Sequence, residues 1–491
     1  MVRYDVALVG AGPAGSAAAR LLASWHYRVV LLHRRTASTL AESIPPSCRK
    51  LFAACGIAEA IDAALFYRST GNTVWWGSDE PRRERFGDGA LGYQVDRAIF
   101  DDLLRAQSVQ AGAELREGRV RHVDVEQAGA LVRLDDGEEL RARFVLDCSG
   151  RAGVIARRAW RIDVAAHPRT VALTGVWTSP NGWPHVDPTH TLVESYADGW
   201  AWSVPLSAEL RYVTAMVDPR RTRLARGRPA ADVYAAEVRK AQRLAALLRH
   251  TVLARGPWGF DASVYTARTF ASDPLLLVGD AASFIDPLSS YGIKKALASA
   301  WLAAVAVHTA LRTPGMTERA LAFYAAREHA IATSLLRQSS EQFEDAASAH
   351  RHPFWTDRAA DLDLPGDAEA DVRALRDHPR VRQAFAWLKQ QETVSLRPGA
   401  AVRREPHPTV RGHEIVMEDH LAADACPGAF RFLRDVDLLG LLDLAPAHDE
   451  VPLLFDAYNR RFPPVALPDF LGALSVMIGF GLLEDSRAST G

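Results

Sequence analysis

The sequence DVALVGAGPAG, residues 5–15, decides the fold of this chain. Asp5–Val9 is a short apolar run typical of a β-strand, and it stops at three glycines spaced as GxGxxG. The Ala- and Leu-rich stretch Ser16–Trp25 indicates a helix, and the apolar run Arg28–Leu32 indicates a second strand. A strand, a glycine turn and a helix in this order form the phosphate-binding part of a dinucleotide fold. We therefore predict that a dinucleotide pyrophosphate binds at the start of the helix.

Each of the three glycines in the turn has its own role in this motif. Gly10 permits the tight turn, Gly12 lets a pyrophosphate approach the backbone, and Gly15 lets the helix and the strand pack closely. We expect these glycines, together with Ala14, to contact the dinucleotide.

The end of the second strand departs from the usual pattern. Dinucleotide folds normally have Asp or Glu there to bind the ribose hydroxyls, whereas this chain has His33, Arg34 and Arg35. His33 either hydrogen-bonds the ribose or is a solvated loop residue, and the arginines could admit a phosphate. We predict that His33 and Arg34 contact the cofactor.

Two later strand ends indicate that the dinucleotide is FAD. Arg141–Leu146 ends in Asp-Cys-Ser-Gly, and Pro274–Val278 ends in Gly-Asp, which places Asp280 where FAD enzymes bind the flavin ribityl chain. A long Ala-rich helix, Ile293–Leu311, follows, and in FAD enzymes of this architecture the corresponding helix directs its N-terminus at the isoalloxazine. A capped, buried helix would explain the alanines but not the preceding Gly-Asp. Further flavin contacts are predicted at three residues near the start of this helix: Pro287, Gly292 and Ile293.

Arg97 precedes a predicted amphipathic helix over Ala98–Ala111. Its guanidinium either contacts the flavin or the pyrophosphate, or forms a salt bridge that caps the helix. We predict the cofactor contact and keep the salt bridge as the alternative.

Composition limits the remaining classes of function. The 491 residues contain 58 basic and 59 acidic side chains, so no bulk charge attracts nucleic acid or an anionic membrane. The four cysteines show neither a CxxC pair nor zinc spacing, so no metal is predicted. Without a signal segment or a run of membrane-spanning length, we expect a soluble, cytoplasmic protein whose partners are small molecules or protein.

Together these motifs resemble the FAD-dependent aromatic hydroxylases and, within that superfamily, the tryptophan-halogenase-like branch. The resemblance covers roughly residues 1–335, which is about two-thirds of the chain. The marker of this branch is Trp-x-Trp-x-(Ile/Val)-Pro, which this chain carries as WAWSVP over residues 200–205. Trp200 and Trp202 alternate along a strand and share one face, so we expect at least one of them in the core.

The resemblance also implies which chemistry this chain lacks. Halogenases of this branch use a lysine to present hypohalous acid to the substrate, in a segment similar to Thr70–Trp75, and the lysine position corresponds to Trp75. The five lysines of this chain belong to other segments: Lys50, Lys240, Lys294, Lys295 and Lys389. The resemblance then implies hydroxylase chemistry, in which reduced FAD and O₂ give a C4a-hydroperoxide that hydroxylates an electron-rich ring. NAD(P)H would reduce the flavin directly or through a separate flavin reductase.

Two segments, residues 70–77 and 287–295, resemble a smaller group within this branch. Its members mature tryptophylquinone cofactors by oxygenating a tryptophan of a partner protein, which implies a polypeptide substrate and an open entrance. Predicted substrate contacts, with ordinary packing as the alternative, are Trp76, Tyr93 and Trp202. Predicted orienting or proton-handling residues are Glu42, Trp75 and Tyr291.

Three other functions stay open from the sequence. They are a flavin-dependent halogenase, a flavin reductase that acts on polyprenyl chains, and a flavoprotein that chaperones its partner without oxygenating it. Oligomeric state and the identity of the substrate also stay open.

The predicted architecture is α/β, with a Rossmann-like FAD-binding domain of the aromatic-hydroxylase fold, an inserted β-sheet substrate domain and an α-helical C-terminal domain. The predicted FAD-binding domain comprises residues 1–70, 94–163 and 268–349. The substrate domain comprises residues 71–93 and 164–267, and the C-terminal domain residues 350–491, where residues 396–408 read as a Pro- and Arg-rich connector.

Overall fold

The chain folds into two units, residues 1–364 and residues 365–491. The computed structural model describes residues 3–34, 40–163, 168–222, 224, 227–359, 375 and 377–487. Arg35, one of the arginines considered for a phosphate contact, lies outside the described residues.

The described strands of the first unit are β1 Arg3–Val9, β2 Val29–His33, β3 Ala41–Ile44, β4 Tyr67–Ser69, β5 Gly71–Trp75, β6 Arg82–Arg85, β7 Gly92–Asp96, β8 Glu114–Glu117, β9 Val120–Glu126, β10 Gly129–Leu134, β11 Glu139–Asp147, β12 Arg161–Asp163, β13 Val171–Thr178, β14 Thr191–Tyr196, β15 Gly199–Pro205, β16 Leu210–Val217, β17 Val252–Asp261, β18 Tyr265–Ala267, β19 Ala271–Ser272 and β20 Leu275–Leu277. Its described helices are α1 Pro13–Ser24, α2 Arg49–Ala54, α3 Ala58–Ala63, α4 Arg97–Gln110, α5 Ala156–Ala159, α6 Ala230–Lys240, α7 Gln242–Leu247, α8 Gly292–Arg312, α9 Thr317–Ala349 and α10 Pro353–Thr356.

A sheet with a parallel core carries the glycine turn. Strand β1 pairs in parallel with β2 on one side and β11 on the other, and the parallel pairing continues to β8 and β20. Helix α1 packs against α4 and α8, and the central strands are buried, which is why they read as continuous apolar runs. The predicted strand, turn, helix and strand are therefore confirmed. Because parallel strands end at the same edge, the turns after β1, β2, β11 and β20 meet there.

A second sheet has seven strands in the order β17-β13-β16-β15-β14-β5-β6. Helices α6 and α7 cover one face of this sheet, here called the helix-covered face, where Leu173 and Val213 are buried. The opposite face, here called the inner face, carries Trp200 and Met216 and packs against Leu288. Strand β7, at the end of the predicted substrate segment 71–93, pairs instead with β3 and β4 in a small separate sheet.

The first unit extends past the predicted boundary at residue 350. Helix α10 follows α9 and packs against it, and Trp355 is fully buried with its indole N–H donated to the carbonyls of Tyr196 at 3.0 Å and Ala197 at 3.1 Å. Arg358, also buried, donates to Thr170 Oγ1 at 2.8 Å. The charged, Pro-containing sequence after residue 350 thus includes two buried side chains that pack with the first unit.

The second unit contains strands as well as the helices that the sequence predicts. Its described helices are α11 Pro379–Leu388, α12 Leu438–Leu444, α13 Val451–Arg461 and α14 Leu467–Gly479, and its described strands are β21 Leu396–Pro398, β22 Arg403–Arg411, β23 Glu414–Ala422, β24 Phe432–Leu433, β25 Val436–Asp437 and β26 Leu483–Asp485. The predicted connector contributes β21 and much of β22, which pairs with β23 in a long hairpin. Cross-strand ion pairs such as Arg411–Glu418, at 2.6 Å, line this hairpin, so its strands lack the apolar alternation that would have revealed them.

In the part of the chain that the structure describes, no helix combines the length and the apolar character needed to span a membrane.

Candidate active site

The glycine turn between β1 and α1 brings the backbone very close to the next strand. Gly10 has φ +107°, and a Cβ there would lie 2.5 Å from the carbonyl oxygen of Cys148. A Cβ on Gly15 would lie 1.8 Å from the carbonyl oxygen of Gly10, which shows the close packing predicted for the third glycine. The space beside Gly12 is open, since a Cβ added there would meet only Arg97 Nη2, at 4.0 Å. A ligand can therefore approach the backbone at Gly12.

A cavity of about 1770 Å³ opens at the shared edge of the parallel strands. It exceeds the roughly 300–1,000 Å³ of an ordinary small-ligand pocket, as a dinucleotide requires. Its lining includes these residues that the sequence singled out: Gly10, Gly12, Ala14, His33, Arg34, Glu42, Arg97, Asp280, Gly292 and Ile293. Gly15 and Pro287 were also expected there but are not in the lining, because Gly15 packs behind the turn and Pro287 begins a separate half-buried turn.

The start of α1 fits an anion. The helix begins after Gly12 without a side-chain cap and has no acidic residue in its first turn. Backbone N–H groups at a helix start carry a partial positive charge and need acceptors. The open surface at Gly12 places such an acceptor in the cavity, which suits the pyrophosphate of a dinucleotide.

The end of β2 has an acidic neighbour that the sequence reasoning missed. His33 pairs in parallel register with Glu117 at the end of β8, and both side chains line the cavity. Glu117 therefore supplies a carboxylate at the strand edge where dinucleotide folds normally place one on β2. Only the pairing of β2 with β8, which are far apart in sequence, reveals this substitution.

Arg97 lies between two carboxylates at the cavity wall. Its Nε and Nη2 donate to Asp101 at 3.0 and 3.1 Å, and its Nη1 donates to Glu42. The salt bridge that was the alternative for Arg97 is therefore present, although Arg97 also lines the cavity. Burial alone would lower the pKa of Arg97, but the charges of Glu42 and Asp101 raise it. Burial raises the pKa of Glu42, and Arg97 opposes that shift.

The Gly-Asp turn after β20 presents a second carboxylate. Gly279 has φ +63°, in the left-handed region that favours glycine, and Asp280 follows it into the cavity lining. The Asp280 carboxylate lies 3.2 Å from Lys295 Nζ, and the Asp280 carbonyl accepts the hydroxyl of Tyr265 at 2.5 Å. The turn is thus held from both sides.

Several tryptophans pack together on the inner face of the seven-stranded sheet. Trp200 and Trp202 are stacked with ring centroids 4.9 Å apart, and Trp200 is buried while Trp202 is half-buried. This confirms that they share a face and that one of them is core. Trp76 packs edge-on against Trp200 and Trp355 and donates its indole N–H to the carbonyl of Gln342 at 2.8 Å. The packing alternative therefore describes Trp76.

Trp75 lies on the helix-covered face, so its predicted catalytic role is not supported. Its side chain packs with the cluster beneath α6 and α7 and meets the His185 ring edge-on at 6.2 Å. It pairs in register with Glu194, whose carboxylate accepts the backbone N–H of Leu244 in α7. Side chains alternate along a strand, so Val74 points to the inner face instead.

Tyr93 is packed as the alternative for it describes, and its contact with substrate stays a prediction. Its hydroxyl donates to Asp62 at 2.6 Å, and its buried ring lies 5.7 Å from Phe52 and 4.0 Å from the Arg68 guanidinium. Burial and the bond to Asp62 raise its pKa.

Tyr291 precedes α8 and packs near Leu336, beside the cavity residues that begin the helix.

Within the described ranges, no group of three or more His, Cys, Asp or Glu side chains has the geometry of a metal site.

Comparison with known proteins supports a flavin site. The family model described as tryptophan halogenase matches residues 78–395. A flavin-dependent halogenase of Armillaria mellea is 27% identical over 372 residues, which is 68% of this chain and 72% of that protein.

Two solved structures are similar over nearly the whole chain. CmlS, a flavin-dependent halogenase, superposes with a TM-score of 0.79 at 21% identity, covering 99% of this chain and 97% of CmlS. QhpG, a peptidyl tryptophan dihydroxylase essential for tryptophylquinone cofactor biogenesis, superposes with a TM-score of 0.67 at 25% identity, covering 93% of this chain and 95% of QhpG.

Proposed function

This chain belongs to the tryptophan halogenase family, and from that membership we propose that it is an FAD-dependent monooxygenase that hydroxylates a tryptophan side chain of a polypeptide. Bound FAD, once reduced, would supply the electrons that activate O₂. The cavity described above fits the cofactor through its open glycine turn, its uncapped helix start and its acidic residue at the β2–β8 edge.

The observation that carries the choice of hydroxylation is the absence of lysine from the seven-stranded sheet. None of its strands contains a lysine, and the inner-face row that crosses β5 reads Trp202, Val193, Val74 and Arg82 from β15 to the edge. A halogenase of this branch would need a lysine near this segment. Elsewhere, Lys240 is paired with Asp198 at 2.6 Å, and Lys295 with Asp280 at 3.2 Å.

The cavity residues around Arg97 and Glu42, here called the flavin end, would position the reacting groups and supply a proton. Arg97 holds Glu42 and Asp101 in one network, which keeps Glu42 at the wall beside Gly292. Because its pKa is raised by burial, Glu42 is suited to hold a proton on a carboxylate oxygen near the reaction. Trp202 and the buried Trp200 would exclude water from the inner face, which favours oxygen transfer to the substrate over side reactions.

The similarity to a peptidyl tryptophan dihydroxylase supports the choice of substrate. That similarity reaches 25% identity and spans 93% of this chain. A tryptophan ring is electron-rich and so accepts an electrophilic oxygen, and a polypeptide substrate reaches the cavity as an extended segment rather than a free molecule. We therefore place a peptide-bound indole above the flavin end of the cavity.

Isotopically labelled O₂ tests this proposal. Protein loaded with FAD is reduced, mixed with labelled O₂ and a pool of peptides that each contain one tryptophan, and the products are sequenced by mass spectrometry. We expect labelled oxygen on the indole of a subset of peptides, and none on matched peptides with phenylalanine in place of tryptophan.

Parallel reactions with chloride or bromide separate hydroxylation from the alternative within the family. Halogenated indole that needs halide would establish a halogenase and overturn the proposal. Consumption of O₂ with no oxygen or halogen in any peptide would also overturn it, in favour of a reductase or a chaperone.

A further inference from the structure

A buried lysine stands directly behind the Gly-Asp turn of the cavity. Lys295 is 5% exposed, and its ammonium donates to the backbone carbonyl of Ser283, to Ser283 Oγ at 3.2 Å and to the Gly279 carbonyl at 3.4 Å. Its remaining contact is the Asp280 carboxylate, at 3.2 Å. A buried ammonium is costly unless it is paired and hydrogen-bonded, so this set of partners marks a built site.

The same turn is held at three further points. The N–H of Gly279 donates to Ser299 Oγ at 2.9 Å, and Tyr324 donates to the carbonyl of Leu277, two residues before Gly279, at 2.5 Å. Tyr265 donates to the Asp280 carbonyl at 2.5 Å. Lys295 differs from these groups because it alone contacts the Asp280 side chain, which is the part of the turn that faces the cavity.

A second buried carboxylate lies beyond the lysine. Glu328 on α9 is 3% exposed and accepts from Ser299 Oγ at 2.9 Å, while its Oε1 has no hydrogen-bond partner. Lys295 is the cation that acts on Glu328 electrostatically. The order from the cavity inward is therefore Asp280, Lys295, Glu328, with alternating charge when all three are ionised.

We propose that Lys295 is a positioning residue for the flavin: it holds the Asp280 carboxylate at the cavity wall and balances its negative charge. The proposal depends on flavin binding in this cavity and not on which reaction follows. Without the lysine, the Asp280 carboxylate would lose its ion-pair partner and would still feel the like charge of Glu42, so it could turn away from the cofactor. An anionic reduced flavin would then meet an uncompensated negative charge.

The test compares Lys295→Met with Lys294→Met in FAD-loaded protein. Lys294 is the adjacent residue on α8, and its ammonium lies near Ser47 Oγ and the Tyr291 ring rather than Asp280. We expect Lys295→Met to weaken FAD binding about ten- to a hundredfold, as the loss of a partner from a buried charge implies. We also expect a more negative midpoint potential for the bound flavin, which a purely structural loss would not produce. Lys294→Met should change neither quantity.

A double-mutant cycle with Asp280→Asn shows whether the lysine acts through Asp280. In the Asp280→Asn background, Lys295→Met should weaken FAD binding by no more than about threefold, since no carboxylate remains to be held. Equal losses in both backgrounds would overturn the proposal. If Lys295→Met alone does not fold, the double variant is used instead, because it leaves no unpaired charge at the turn. Its FAD affinity is compared with that of Asp280→Asn, and a tenfold difference between the two would overturn the proposal. If the wild-type chain binds no FAD, the proposed function fails first.

Discussion

Gly12 and Gly15 lie one helical turn apart and serve different purposes. Gly15 has no space for a side chain because the Gly10 carbonyl oxygen occupies the position of its Cβ, whereas Gly12 faces the open cavity. Gly12 is therefore accessible from the cavity, whereas Gly15 belongs to the packing of the turn. A substitution at each residue separates binding from folding.

Gly15→Ala is expected to lower the free energy of unfolding by about 1–3 kcal/mol or more, because an added methyl overlaps the Gly10 carbonyl. Gly12→Ala is expected to leave stability within about 0.5 kcal/mol of wild type while weakening FAD binding. Chemical denaturation of the apoprotein and FAD titration measure the two effects. A Gly12→Ala variant that binds FAD normally would contradict the assignment of the pyrophosphate to this turn.

Glu328 predicts a pH dependence of stability. Burial raises its pKa from 4.5 to about 7, with Lys295 and Ser299 opposing the shift. Between these values the folded chain keeps a proton that the unfolded chain loses, so this residue's contribution to stability falls as pH rises from about 4.5 to 7.

Glu328→Gln removes that titration and keeps an acceptor for Ser299. We expect the variant to gain stability relative to wild type across the same interval, by up to about 3 kcal/mol at pH 7, in urea denaturation at a series of pH values. A constant difference between variant and wild type at all pH values would show that folding does not shift the pKa of Glu328.

At the scale of elements, the register of β5 decides which side chains reach the inner face. Trp75 packs beneath α6 and α7, and Val74 shares a row with Val193 and Trp202. A one-residue difference along a strand exchanges the two faces. A lysine placed at Trp75 would therefore point away from the inner face.

Trp75→Lys is expected to destabilise the chain by about 2 kcal/mol, through lost packing of a half-buried indole, and to produce no halogenated product. Val74→Lys is the matched variant, because it places the ammonium on the inner face in the same strand. Thermal denaturation and product analysis with bromide distinguish them. Halogenation by Trp75→Lys but not by Val74→Lys would contradict the observed register.

At the scale of the whole molecule, α10 fixes where the first unit ends. Trp355 is fully buried and is hydrogen-bonded to the carbonyl of Tyr196 on β14, so residues beyond 350 complete the inner-face cluster. The two units meet in sequence at residues 364 and 365.

A chain ending at residue 364 is expected to fold and to bind FAD, whereas one ending at residue 349 should be less stable by about 3–5 kcal/mol, the cost of removing a buried tryptophan. Denaturation midpoints and FAD titration of both truncated chains test this. If the two truncated chains are equally stable, the first unit ends near residue 349, as the sequence predicts.

The sequence by itself determined the elements whose signals are local. The strand, glycine turn and helix at residues 5–25, the Gly-Asp turn at Asp280 and the long helix α8 all follow from patterns within one stretch of chain. Steric and hydrogen-bonding preferences act between near neighbours, so these patterns predict the dinucleotide fold and much of the cavity lining.

Only the tertiary structure decided the contacts between distant segments. Glu117 stands beside His33 because β8 pairs with β2, Trp75 faces α7 because β5 joins β14 in one register, and Trp355 closes the inner face from beyond the apparent boundary. Lys295 and Glu328 likewise become neighbours of one turn only when α8 and α9 pack together. Strand register and helix packing depend on burial of the whole core, which no local pattern encodes.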